Sequence, residues 1–116
     1  MNKKNPFLSN DEKLISNDVG FVIFDKHPVT LGHSLIIPNR IYADYFESTS
    51  EEIVGLNDLI NQARDYLKKR FSPDGFNIGW DIGKVAGQNI QHTHLHIILR
   101  YLKDSENNNT GMRSVL

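Results

Sequence analysis

Residues 91–102, Gln91-His92-Thr93-His94-Leu95-His96-Ile97-Ile98-Leu99-Arg100-Tyr101-Leu102, are the strongest strand signal in the chain. Apolar and β-branched residues crowd this run, and no glycine or proline interrupts it. Successive side chains of a strand point to opposite faces. His92, His94 and His96 therefore share one face, and Thr93, Leu95 and Ile97 the other. That second face needs an apolar cover, which residues 53–67 can supply. Ile53, Leu56, Leu59, Ile60, Ala63, Tyr66 and Leu67 recur at three- and four-residue steps, along one side of a helix. Ser48 with Glu51, or Thr49 with Glu52, fits a capping box at its start. Lys68, Lys69 and Arg70 suit the negative end of its dipole, and Ser72-Pro73-Asp74-Gly75 stops it.

Outward from these two elements, residues 19–24 read as a short strand buried on both faces, and residues 33–37 as its hairpin partner, closed by Pro38. Residues 76–82 read as a strand weakened by Gly79, and residues 83–89 as a loop with two glycines. Strand, strand, helix, strand, strand is an α+β order. Short connections beside the helix favour an antiparallel sheet with the helix across one face. Residues 1–16 read as an N-terminal arm with an apolar anchor, 17–103 as the domain, and 104–116 as an asparagine-rich tail.

At 116 residues there is room for one core. A net charge of -1 gives no bulk attraction to nucleic acid or an anionic membrane, and 39% hydrophobic residues are too many for a disordered chain. Without cysteine there is no disulfide, thiolate zinc site or cysteine nucleophile. The apolar runs are too short to span a bilayer, and MNKKNPFLSNDEK lacks the core of a secretory signal. The expectation is a cytoplasmic protein with no nucleic-acid or membrane partner.

Three imidazoles on one face are a poor way to fill a core. A metal site is one alternative, but on a regular strand rising about 3.3 Å per residue, His92 and His96 start roughly 13 Å apart. Zinc–imidazole bonds of about 2.0–2.1 Å cannot gather all three, so a metal would need two of them with His33 or Asp81. The other alternative is nucleophilic attack on phosphorus by the middle histidine, flanked by rings that orient phosphate or move a proton. Such a nucleophile needs an acceptor on its second nitrogen to fix the tautomer. The Gly87-Gln88-Asn89 loop would add backbone N–H donors for an anion.

His92-Thr93-His94-Leu95-His96-Ile97-Ile98 resembles the signature of the histidine-triad superfamily, with Thr93 a departure at an apolar place. The resemblance runs through residues 19–102. It takes in Phe24-Asp25-Lys26-His27-Pro28-Val29, Leu31-Gly32-His33, Leu35-Ile36-Ile37-Pro38, Gly75-Phe76-Asn77-Ile78-Gly79 and Ala86-Gly87-Gln88. Gly111-Met112-Arg113 is similar to endings of bacterial members related to diadenosine polyphosphate hydrolases. The resemblance implies a sheet of about five antiparallel strands carrying one long helix. It also implies a homodimer, and cleavage of a phosphoanhydride or phosphoramidate of a nucleoside monophosphate through a nucleotidyl-histidine.

By that resemblance His94 is the nucleophile, His92 supports it through its backbone carbonyl, and His96 and His33 serve the phosphate. Asp25 takes the ribose, Ile23 and Phe24 border the base, and Asp81, Gln88 and Asn89 lie near the phosphate or leaving group. The expected substrate is a purine nucleotide, with no cofactor or metal. Asp81 stands where Asn or Gln is commoner, so it should be protonated, turned away or paired, with Lys84 a candidate. Asn89 stands where Ser or Thr is commoner, and Leu99 replaces a frequent proline. Asn5-Pro6-Phe7-Leu8 is similar to a Cys-Pro-Phe-Cys zinc segment without its cysteines. A nucleotide-binding protein with lost catalysis, and a histidine-based metal module, are the competing expectations.

Overall fold

The computed structural model describes residues 5–9 and 12–102; the expected tail, 104–116, lies outside the described residues. Five strands form one antiparallel sheet: β1 (Ile15–Ser16), β2 (Gly20–Phe24), β3 (Ser34–Pro38), β4 (Gly75–Trp80) and β5 (Leu95–Arg100). Their spatial order is β1-β2-β3-β5-β4. The helix α1 (Ser50–Phe71) lies across one face. The strand that the sequence order does not show is β1, at residues assigned to the arm, where Ile15 pairs with Val22.

Alternation along the strands builds both faces. Val22, Ile36, Leu95, Ile97 and Leu99 pack against Leu56, Leu59, Ala63 and Leu67 of α1. Phe21, Ile23, Leu35 and Ile37 point the other way and are covered by Phe7 from a short 3-10 turn at Pro6–Leu8. That is why residues 21–23 are all buried.

Helix α1 begins with the Thr49–Glu52 capping box rather than the Ser48–Glu51 alternative. Glu52 lies in the buried stripe, while Ile53, expected there, is 43% exposed, because true helical spacing runs 52, 56, 59, 63, 67. Arg40 satisfies the buried carboxylate through two hydrogen bonds, which hold its pKa down to about 2. Gly55 lets the helix settle on Val19: a Cβ there would lie 2.1 Å from Val19 Cγ2.

The strand expected over 91–102 is shorter. His92 and Thr93 are held instead to the end of β3 and the chain after it, with Thr93 N–H donating to the Tyr42 carbonyl and the His92 ring bonded to the Pro38 carbonyl. Of the three histidines, only His96 thus shares the β5 ladder.

Candidate active site

Four neighbouring strands, in the order β2-β3-β5-β4, bring one ionisable side chain each into a row on the face away from α1. Asp25 follows β2, His33 precedes β3, His96 lies in β5 and Asp81 follows β4. Pairing of His96 with both Leu35 and Gly79 puts the central imidazole between its neighbours. Asp25 Oδ2 is 3.4 Å from His33 Nε2, His33 Nε2 is 3.0 Å from His96 Nδ1, and His96 Nε2 is 3.6 Å from Asp81 Oδ2. Among the described residues, the side chain that faces Asp81 is thus the His96 imidazole rather than Lys84.

The hydrogen bonds fix the tautomers. Val29 N–H donates to Nδ1 of His33, so the His33 proton sits on Nε2 and is directed at His96 and Asp25. His96 then accepts at Nδ1 and carries its proton on Nε2, facing the cavity and Asp81. Burial drives the pKa of His33 down to about 4; Asp25 opposes this, and His96 and Arg100 add to it. His33 was expected at the phosphate. It lines the cavity, and both of its ring nitrogens are engaged within the protein, Nδ1 by Val29 N–H and Nε2 by His96.

His94 stands in the same wall, its ring centroid 5.1 Å from that of His96. Its Nδ1 donates to the backbone carbonyl of His92 at 2.9 Å, so Nε2 is left with its lone pair. Burial lowers the His94 pKa, opposed in part by that carbonyl, and burial likewise lowers that of His92. His92 is fully buried and donates from Nε2 to the Pro38 carbonyl at 2.7 Å. Phe7 packs over both, 4.9 Å from the His94 centroid and 5.6 Å from that of His92.

The cavity measures about 450 Å³ and includes Ile23, Phe24, Asp25, Asp81 and Asn89 among its walls. Gln88, expected to face the phosphate, is not in the wall. It is buried, accepts from Gly83 N–H and donates to the Ala43 and Ile90 carbonyls. The positive φ of Gly83 (91°) and Gly87 (102°) winds the loop tightly enough to turn this side chain inward. The same winding directs Gly87 and Gln88 N–H to the Lys84 and Gly83 carbonyls, so two of the three backbone donors expected of this loop are used inside it. Conversely, Phe7, Lys26, His27, Leu35 and Ile90 line the cavity without having been singled out. Lys26 and His27 adjoin Asp25 in sequence, which was the available signal; Phe7 was legible as an anchor but not its destination.

Asp25, His33 and His96 offer ligand atoms within 4.8 Å of one another and are the described residues that could gather round a metal ion. Coordination through His33 Nε2 requires the proton on Nδ1, where Val29 N–H already points. The donor pattern therefore favours the hydrogen-bonded row.

The HIT domain matches residues 8–103. The chain belongs to the HIT domain family. Bis(5'-adenosyl)-triphosphatase of Dictyostelium discoideum is 32% identical over 101 residues, covering 87% of this chain and 68% of that protein. A HIT family protein from Bacillus anthracis superposes with a TM-score of 0.75 at 30% identity, covering 89% of this chain and 79% of the other. The diadenosine triphosphate hydrolase of Plasmodium falciparum gives 0.77 at 27% identity, covering 88% and 74%. The chain spans between 44% and 73% of the length of the curated HIT relatives it matches. No described helix is long and apolar enough to cross a membrane.

Proposed function

We propose that this HIT protein is a nucleotidyl hydrolase or transferase. It would act on a phosphoanhydride or phosphoramidate of a nucleoside monophosphate, adenylate first, through a covalent bond to His94. The observation that supports this most directly is the 2.9 Å bond from His94 Nδ1 to the His92 carbonyl, which reserves the Nε2 lone pair for the cavity. The names of relatives such as the Dictyostelium triphosphatase point the same way.

In this reading the base lies against Ile23 and Phe24, and the ribose hydroxyls meet Asp25, whose Oδ1 is already steadied by His27 N–H. His94 Nε2 bonds to phosphorus while the bond to the leaving group breaks, and the leaving group keeps the electron pair. His96 Nε2–H and the Asn89 amide offer donors to the nonbridging oxygens as charge builds. Water then attacks phosphorus, and the pair returns to His94. Two copies are proposed to form a homodimer, since β4 ends the sheet with Ile78 half-exposed.

Rapid-quench mass spectrometry with adenosine 5'-phosphoramidate and a diadenosine polyphosphate tests the reading. A transient adenylate on His94, absent from His94→Ala, is the expected result. Nucleotide binding with neither adduct nor turnover would establish a binding protein instead.

A further inference from the structure

The row of four ionisable groups bears on which leaving groups the site accepts, a question that rests on the nucleotidyl-transfer reading. Ile23, Phe24 and Asp25 lie at the β2 end, so the nucleoside belongs there and phosphorus lies over His94 and His96. Whatever is bonded to phosphorus on the far side extends over the next strand, β4, where Asp81 stands. Its side chain is 10% exposed and lies 3.6 Å from His96 Nε2. The cation in the cavity wall, Lys26, follows β2 beside Asp25, and the loop adjoining Asp81 offers a second anion the Asn89 amide but no cation. Gly87 and Gln88 N–H are directed within the loop, and Lys84 is exposed and not part of the cavity wall.

We propose that Asp81 selects the leaving group by charge, and that the preferred substrates are nucleoside phosphoramidates of amines carrying a further positive charge, not polyphosphates. The His94 Nε2 pair forms the new P–N bond as the substrate P–N bond breaks. The departing amine keeps the bonding pair and takes a proton from solvent. Water then attacks phosphorus, Nε2 regains its pair, and the proton lost from that water returns to solvent. Asp81 takes no part in the bond changes. It attracts a cationic departing group and repels an anionic one at a separation of about 6 Å, where one unit of charge alters the rate about tenfold after screening.

The test uses three adenosine 5'-phosphoramidates whose two-carbon amines end in an ammonium, a hydroxyl or a carboxylate, each rate being read as the ratio of wild type to Asp81→Asn so that differences in amine basicity cancel. Diadenosine triphosphate is run beside them. That ratio of kcat/KM should fall about tenfold at each step from ammonium to hydroxyl to carboxylate. Asp81→Asn should thus compress the series by that much and raise diadenosine triphosphate relative to the amidates. Raising salt to about 0.5 M should compress the wild-type series too, which makes the test independent of how the variant folds. A flat ratio, meaning a spread that Asp81→Asn leaves intact, overturns the role of Asp81 while leaving nucleotidyl transfer standing. Failure of every substrate, with no adduct on His94, overturns both.

Discussion

The side-chain amide of Asn5 donates to Nδ1 of His92 across 2.9 Å, tying the N-terminal segment to the triad. Asn5 Oδ1 also accepts from Phe7 N–H, so the same residue places the ring that covers His92 and His94. His92 is thereby held neutral, with its proton on Nε2 and its carbonyl turned to His94.

Asn5→Ala leaves a buried acceptor unpaired, which costs about 1–3 kcal/mol. Calorimetry should show that loss as a lower Tm. Because the carbonyl of His92 orients the proposed nucleophile, kcat should fall about tenfold while KM changes little. An unchanged kcat would show that Asn5 serves stability alone.

The pH dependence follows from burial. In the proposed reaction His94 attacks only when Nε2 is unprotonated, and its pKa is lowered from the ordinary histidine value of 6.5. The acid limb of kcat/KM, which reports the free enzyme, is therefore expected below pH 6.5. His33, at about 4 when folded against 6.5 unfolded, contributes stability that is complete above 6.5 and lost as pH falls toward 4. Urea midpoints over the same range separate that unfolding from the titration of the nucleophile. An acid limb at 6.5 or above would contradict a buried neutral nucleophile.

What could be read from the chain was whatever depends on period. The spacing of His94 and His96 placed both in the cavity wall, with His92 buried outside it against the Pro38 carbonyl, and the recurrence of Leu56, Leu59, Ala63 and Leu67 gave the cover of the other face. Non-periodic features were not legible. Gln88 faces inward because of backbone angles at Gly83 and Gly87 and a carbonyl at Ala43, none of which has a spacing to detect. The row joining Asp25, His33, His96 and Asp81 depends on the strand order β2-β3-β5-β4, and that order is set by pairing between distant segments. Ile53 and Glu52 exchanged roles because Arg40, a dozen residues away, supplies the partner that lets a carboxylate be buried.

Gly55→Ala should destabilise, against the gain of about 1 kcal/mol that helix propensity alone predicts. The added methyl would meet Val19 Cγ2 at 2.1 Å, and overpacking of this kind costs about 1–3 kcal/mol. Val19→Ala in the same chain removes the obstructing atoms, so the double variant should recover most of the loss. Denaturant titration of the four proteins closes the cycle, and additive effects would deny the contact.

Thr93 occupies the apolar side of the histidine segment, 1% exposed, and its Oγ1 has no hydrogen-bond partner among the described residues. Its backbone N–H is engaged by the Tyr42 carbonyl, so the hydroxyl alone is left without compensation. Valine replaces that hydroxyl with a methyl of similar size and removes the cost of burying an unpaired polar group, about 1 kcal/mol or more. Thr93→Val should therefore raise the Tm by about 4 °C in a domain of this size. Thr93→Ser keeps the hydroxyl and loses a buried methyl, so it should lower the Tm. If both substitutions lowered it equally, the hydroxyl would have a partner and the site would be packed around it.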